Sequence, residues 1–141
     1  IEVSSFIHAT EDQNKVLDAC KKVFPREQAD DIPLHRSELM GYHRNPITML
    51  EARLKNRTNV RAFIENLAKS LDESEKKKLS SEIERHIDEK GALHLRLDKQ
   101  EAFLGNMKLG RSDPIRIKIK LQHSGKSLEE AVIFYRSLNL L

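Results

Sequence analysis

The amino-acid sequence predicts an α+β two-layer sandwich, with a mainly antiparallel sheet and helices on one face. Its elements are expected in the order β-α-β-β-α-α-β-β-α. Three observations carry this. Ile115-Arg116-Ile117-Lys118-Ile119-Lys120-Leu121 alternates apolar and basic residues without a break, the period of a strand with one buried and one wet face. Val60, Phe63, Ile64, Leu67 and Leu71 repeat at helical spacing, an apolar stripe for that sheet to cover. Extended segments come in pairs with helical patterns between them, and that order suits helices segregated on an antiparallel sheet.

The chain opens on a strand from Ile1 to Ala9, with Ile1, Val3, Ser5 and Ile7 on one face and Glu2, Ser4, Phe6 and His8 on the other. Thr10 with Gln13 reads as a capping box. The helix it opens carries Val16, Ala19, Cys20, Val23 and Phe24 inward and stops at Pro25. Arg26 to Ser37 is polar, contains Pro33, and reads as a loop. Leu39 to His43 is a short strand, Asn45-Pro46 a turn, and Ile47 to Lys55 the partner strand with Leu50, Ala52 and Leu54 facing in. After the Val60–Leu71 stripe, Asp72 with Glu75 caps a second helix. Leu79, Ile83 and Ile87 continue its spacing up to the stop at Gly91. Leu93, Leu95 and Leu97 alternate as another strand; Gly105, Gly110 and Asp113-Pro114 break the chain before the basic strand. Ser127 with Glu130 caps a last helix bearing Leu128, Ala131, Val132, Tyr135 and Leu138.

A length of 141 residues suits one domain spanning 1–141. The net charge of +3 hides an asymmetry. Up to Leu34 the acids Glu2, Glu11, Asp12, Asp18, Glu27, Asp30 and Asp31 outnumber Lys15, Lys21, Lys22 and Arg26. From Ala92 to Lys126 the bases Arg96, Lys99, Lys108, Arg111, Arg116, Lys118, Lys120 and Lys126 face only Asp98, Glu101 and Asp113. A locally basic half points to an anionic partner. Cys20 is the single cysteine, so no intrachain disulfide forms, and a cytoplasmic location is expected. No apolar run approaches the length of a membrane span, no signal-peptide pattern opens the chain, and no membrane partner is expected.

Catalytic chemistry finds little purchase. The five glycines form no phosphate loop. None of the six histidines, His8, His35, His43, His86, His94 and His123, stands four residues from another or beside a cysteine, so neither metal nor cofactor is implied. Ser4 and Ser5 lie near His8 without the strained turn of a nucleophile, and Asp30 and Asp31 lie in a polar loop that would not shift their titration. The chain is read as no enzyme.

Three segments are candidate contacts for an anion. Arg116, Lys118 and Lys120 form a basic row on the open sheet face, although a solvated strand face accounts for the same residues. Tyr42, His43, Arg44 and Asn45 group two rings, a guanidinium fork and an amide in one turn, where Gly41 and Asn45-Pro46 also serve the turn itself. Arg96, on the strand face of His94 and Asp98, is followed by Lys99 and Gln100, and would form a positive patch if it neighboured Arg116 or Lys118 across the sheet. With no tryptophan and 5% aromatics, base stacking is not the main mode.

Phe6-Ile7-His8-Ala9-Thr10-Glu11-Asp12, Gly41-Tyr42-His43-Arg44-Asn45-Pro46-Ile47 and Leu95-Arg96-Leu97-Asp98-Lys99-Gln100 leading to Gly105 carry a resemblance in their order and spacing. From Val3 to about Leu121 the chain resembles an archaeal family of small RNA-binding proteins, described as predicted exosome subunits with a fold like a double-stranded-RNA-binding domain. The resemblance implies the α+β sandwich of the ribosomal protein that holds 5S ribosomal RNA. It also implies a non-catalytic partner of structured or double-stranded RNA, associated with RNA processing or the exosome. Tyr42, His43, Arg44, Asn45, Arg96, Lys99, Arg116, Lys118 and Lys120 are the expected contacts. The alternative is a subunit that meets a complex partner, or a second copy in a homodimer, through the strand Ile115–Leu121.

Overall fold

The computed structural model describes residues 1–121 and 127–141, with Tyr42 described by its backbone alone. His123 and Lys126 lie outside the described residues. Strand β1 spans Glu2–His8 and buries Val3, Ser5 and Ile7, the face its alternation predicted. Glu11 then folds back: its carboxylate accepts from the His8 amide at 3.0 Å while its own amide donates to the His8 carbonyl at 2.9 Å. That turn consumes the residues expected to start a helix at Thr10. Helix α1 is Gln13–Lys22, and its cap is Asp12, which accepts from the Asn14 amide at 2.9 Å.

The expected loop after Pro25 contains a short helix, α2 at Arg26–Ala29. One turn is too short to show a periodic stripe. Its buried Gln28 donates to the Asn59 carbonyl at 3.0 Å and so ties α2 to the next long helix. Strand β2 is His35–Met40, earlier than the expected Leu39–His43. All six residues are exposed, so no buried face imposed an alternation to read. A single 3-10 turn at Tyr42–Arg44 follows, closed by the Gly41 amide on the Asn45 carbonyl at 2.8 Å. His43 and Arg44 both hold positive φ, at 59° and 61°, a region costly for side chains with a Cβ. Strand β3 is Pro46–Arg53.

Helix α3, Arg57–Ser70, buries Phe63 and Leu67; Phe63 meets Phe24 edge to face at 5.3 Å. Asp72 caps α4 through the Glu75 amide at 2.9 Å, as expected, but α4 ends at Ser81 rather than near Gly91. A 3-10 turn at Ile83–Arg85 follows, and Ile87 bridges to Leu93 as sheet. The four-residue spacing persists past Ser81 although the chain has left the helix. Strand β4 is Leu93–Leu97. A second unexpected short helix, α5 at Lys99–Phe103, is capped by Asp98, which accepts from the Glu101 amide at 2.9 Å. Strand β5 is Ile115–Ile119, and α6 is Leu128–Ser137, capped by Ser127 as its sequence predicted. No helix of the described residues is long and apolar enough to cross a membrane.

The strands form one antiparallel sheet in the order β2-β3-β1-β5-β4. One face joins buried residues of α1, α3, α4, α5 and α6 in a continuous core around Leu50, Leu95, Ile117 and Tyr135. Two short helices therefore separate the observed order from the expected one. The basic strand lies inside the sheet between β1 and β4. Arg116 to Lys118 are paired on both sides, so this part of the strand offers no free edge to another chain.

Candidate nucleic-acid interface

Cross-strand register builds the open face row by row. Ser4 of β1 stands opposite Arg116 of β5, and Arg116 stands opposite Arg96 of β4. The next row sets Arg53, Glu2, Lys118 and His94 side by side. The expected neighbourhood of Arg96 with the basic strand is thus observed as a directly opposed arginine pair. Arg116 also lies over the Phe6 ring, with its guanidinium carbon 5.7 Å from the centroid. That contact steers the charge and covers the aromatic ring.

A third wall comes from segments distant in sequence. Residues Met107–Gly110 run back along the outer edge of β4. Asp98 donates its amide to the Lys108 carbonyl, and Gly110 donates to the Arg96 carbonyl, both at 2.8 Å. A Cβ on Gly110 would stand 2.9 Å from backbone atoms of Asp98, so only glycine fits this approach. The buried carboxylate of Glu75 accepts from the Leu109 amide at 2.9 Å and pins the segment to α4. The result is an open basin of about 940 Å³. Its lining includes Lys78, Arg85, Arg96, Arg111, Arg116 and Lys118 against Glu2 and Glu82, a formal balance of six positive and two negative charges.

These charges are not equally available. Glu82 lies 3.9 Å from Arg111 and 4.0 Å from Arg85. Glu2 is hydrogen-bonded by Lys120 at 2.9 Å, which holds its carboxyl below the usual range. His94 bonds Asp88 at 2.8 Å and lowers that carboxyl likewise. Among the described residues, Arg96, Arg116 and Lys118 make no ion pair within 4.0 Å. Opposed cations without counter-ions cost folding energy, and an anion bound between them would recover it.

The expected contacts therefore separate. Arg96, Arg116 and Lys118 share the basin, and Lys120 flanks it in its pair with Glu2. Lys99 lies elsewhere and is nearly buried, with 11% of its side chain exposed. Its ammonium donates to the Phe6 carbonyl at 2.6 Å, to both Glu11 oxygens at 3.2 Å and to Asp113 at 2.7 Å. His8 adds a contact to Asp113 at 3.1 Å. Burial raises the Asp113 carboxyl, but Lys99 and His8 outweigh it and the net shift is downward. Ligand atoms of His8, Glu11 and Asp113 converge closely enough for a metal ion. The Lys99 ammonium already supplies the positive charge among them. Asp98 is spent as the α5 cap.

The Tyr42–Asn45 turn stands at the His8 end of the sheet, where His8 pairs with Ile47. His8 is four residues beyond Ser4, about 13 Å along the strand, and β3 lies two strands, about 10 Å, from β5. His43, Arg44 and Asn45 are exposed there, apart from the basin. Lys78, Arg85 and Arg111 escaped sequence reasoning. The run Lys76-Lys77-Lys78 was visible, but nothing local says which lysine turns to the β4 edge.

An antiparallel α+β sheet with a basic basin on its open face defines the class. Residues 1–121 match the model of a family described as RNA binding, and the chain belongs to that family. It is 40% identical over 124 residues to an RNA-binding protein of Pyrococcus abyssi, covering 86% of this chain and 80% of that one. A crystal structure of a DUF54 protein from Archaeoglobus fulgidus is similar at TM-score 0.84 and 35% identity, over 97% of this chain and 96% of that one. A DUF54 protein of Methanothermobacter thermautotrophicus follows at TM-score 0.78 and 34% identity, over 97% and 94%.

Proposed function

We propose that this chain is a non-catalytic RNA-binding protein that grips the sugar-phosphate backbone of a structured or double-stranded RNA in the β4–β5 basin. The observation that carries the reading is the opposed pair Arg96–Arg116, unneutralised inside a basin lined by six lysines and arginines. Guanidinium pairs match phosphate geometry. Shape and 2′-hydroxyl contacts suit a face on which Phe6, beside the arginines, is covered by Arg116. The choice of RNA among polyanions rests on the family's description and the naming of the Pyrococcus abyssi relative. His43, Arg44 and Asn45 would meet the same ligand farther along the sheet.

We read the chain as one domain, with the sandwich likened above to the 5S-RNA-binding ribosomal protein. We place it in the cytoplasm, in RNA processing alongside the exosome. The motifs at Phe6–Asp12, Gly41–Ile47 and Leu95–Gln100 support that finer assignment through the family resemblance alone. Fluorescence anisotropy with an RNA duplex, its single strand and a DNA duplex of equal sequence tests the proposal. The RNA duplex is expected to bind most tightly. Equal affinity for all three would reduce the basin to a general polyanion site, and no binding at low salt would refute it.

A further inference from the structure

The two sheet edges are treated differently. The β4 edge is covered, by the bridge Leu97–Leu109 at one end and Ile87–Leu93 at the other. Among the described residues the β2 edge is open: β3 takes one side, and all six residues from His35 to Met40 are exposed. Exposed edges are usually blunted by charged side chains, lysine above all, by proline or by a bulge, and the two charges of β2, Arg36 and Glu38, are of opposite sign and can satisfy each other across a pair of copies. Strand β2 contains no lysine or proline, and its register with β3 runs unbroken from His35–Glu51 to Met40–Pro46. Leu39 and Met40 are 46% and 71% exposed. Arg36 and Glu38 make no ion pair among the described residues.

We propose that this edge pairs antiparallel with β2 of a second copy, across a two-fold axis at Ser37. Charge selects the register. An axis at Arg36 would set Arg36 against Arg36 of the second copy, and an axis at Glu38 would oppose two glutamates. An axis at Ser37 sets Arg36 against Glu38 of the second copy and repeats that pair by symmetry. The same register carries Met40 onto Leu34 of the second copy, one residue before its strand. The interface is isologous, so each contact off the axis occurs twice. Opposed charges on facing strands favour this pairing, and like charges penalise its neighbours. This inference is independent of the RNA reading.

Sedimentation equilibrium of the full chain tests it with a charge swap. The wild type is expected to dimerise. Arg36→Glu and Glu38→Arg should each weaken self-association by about tenfold or more, because both pairs become repulsive. The double variant carrying both reversals should regain the wild-type affinity. An equimolar mixture of the two single variants should form heterodimers, since both opposed pairs are then complementary. Circular dichroism checks that each variant remains folded, which exposed positions permit. A wild type that stays monomeric up to near-millimolar concentration would overturn the proposal and leave the edge for a strand of another protein. A dimer indifferent to the single reversals, or a mixture that fails to associate, would overturn it as well.

Discussion

Replacing Arg96, Arg116 and Lys118 together by Gln separates binding from folding. Each lies on the open face without an ion pair within 4.0 Å among the described residues. If each neutralises one phosphate, each adds about 0.7–0.9 to the salt slope. Between roughly 50 and 200 mM salt one such contact changes affinity about threefold, and three contacts about 30-fold. The wild type should therefore lose about 30-fold more affinity than the variant over that range, and its slope should be steeper by about 2 to 3. Stability should move the other way or hardly at all. Arg96→Gln relieves the like-charge pair with Arg116, a gain of about 0.2–1 kcal/mol. Arg116→Gln forfeits its contact with Phe6, a loss of about 0.5–1 kcal/mol. Anisotropy titrations on duplex RNA at several salt concentrations give the slopes, and urea melts give the stability. Parallel slopes for the two proteins would refute the basin as the phosphate site. A variant that binds poorly because it unfolds would refute the expectation that these residues change stability by no more than about 1 kcal/mol each.

Other substitutions probe the scaffold. Tyr135 is fully buried, and its hydroxyl donates toward the Gly91 carbonyl at 2.6 Å, with the Ile119 carbonyl at 3.2 Å, while burial pushes its pKa up to about 12. Tyr135→Phe should cost about 1–3 kcal/mol in urea unfolding by stranding those acceptors. Lys99→Met should destabilise by roughly 1–3 kcal/mol at neutral pH. Because the folded Asp113 carboxyl lies below its ordinary 3.8, its contribution is complete above that value and is lost as pH falls below it toward the folded pKa. Acid melts of the wild type should show that loss below about pH 4, and Lys99→Met should flatten it. Gly110→Ala should cost roughly 1–3 kcal/mol through the clash with Asp98. It should also weaken RNA binding by shifting Arg111, read by melts and anisotropy together.

Where burial was one-sided, local pattern was enough to place an element. Val3, Ser5 and Ile7, Leu93 to Leu97, and Ile115 to Ile119 alternate because their strands carry the core on one face. Asp72 and Ser127 were legible as caps because a cap acts within one turn of chain. Strand β2 was misplaced because none of its residues is buried. Thr10 was misread because Glu11 bonds His8 instead of continuing into a helix. Lys99 looked like a surface cation because only the fold brings Phe6, Glu11 and Asp113 around its ammonium.

The sequence by itself determined the α+β class, the face each core strand turns inward, and the basic row Arg116, Lys118 and Lys120. Those properties follow from side-chain period and local hydrogen bonding, which act over a few residues. Only the tertiary structure decided that Arg96 faces Arg116, that Lys78, Arg85 and Arg111 wall the same basin, and that β2 is left with an open edge. Strand order and register set those neighbours, and both emerge when distant segments compete to bury one common core.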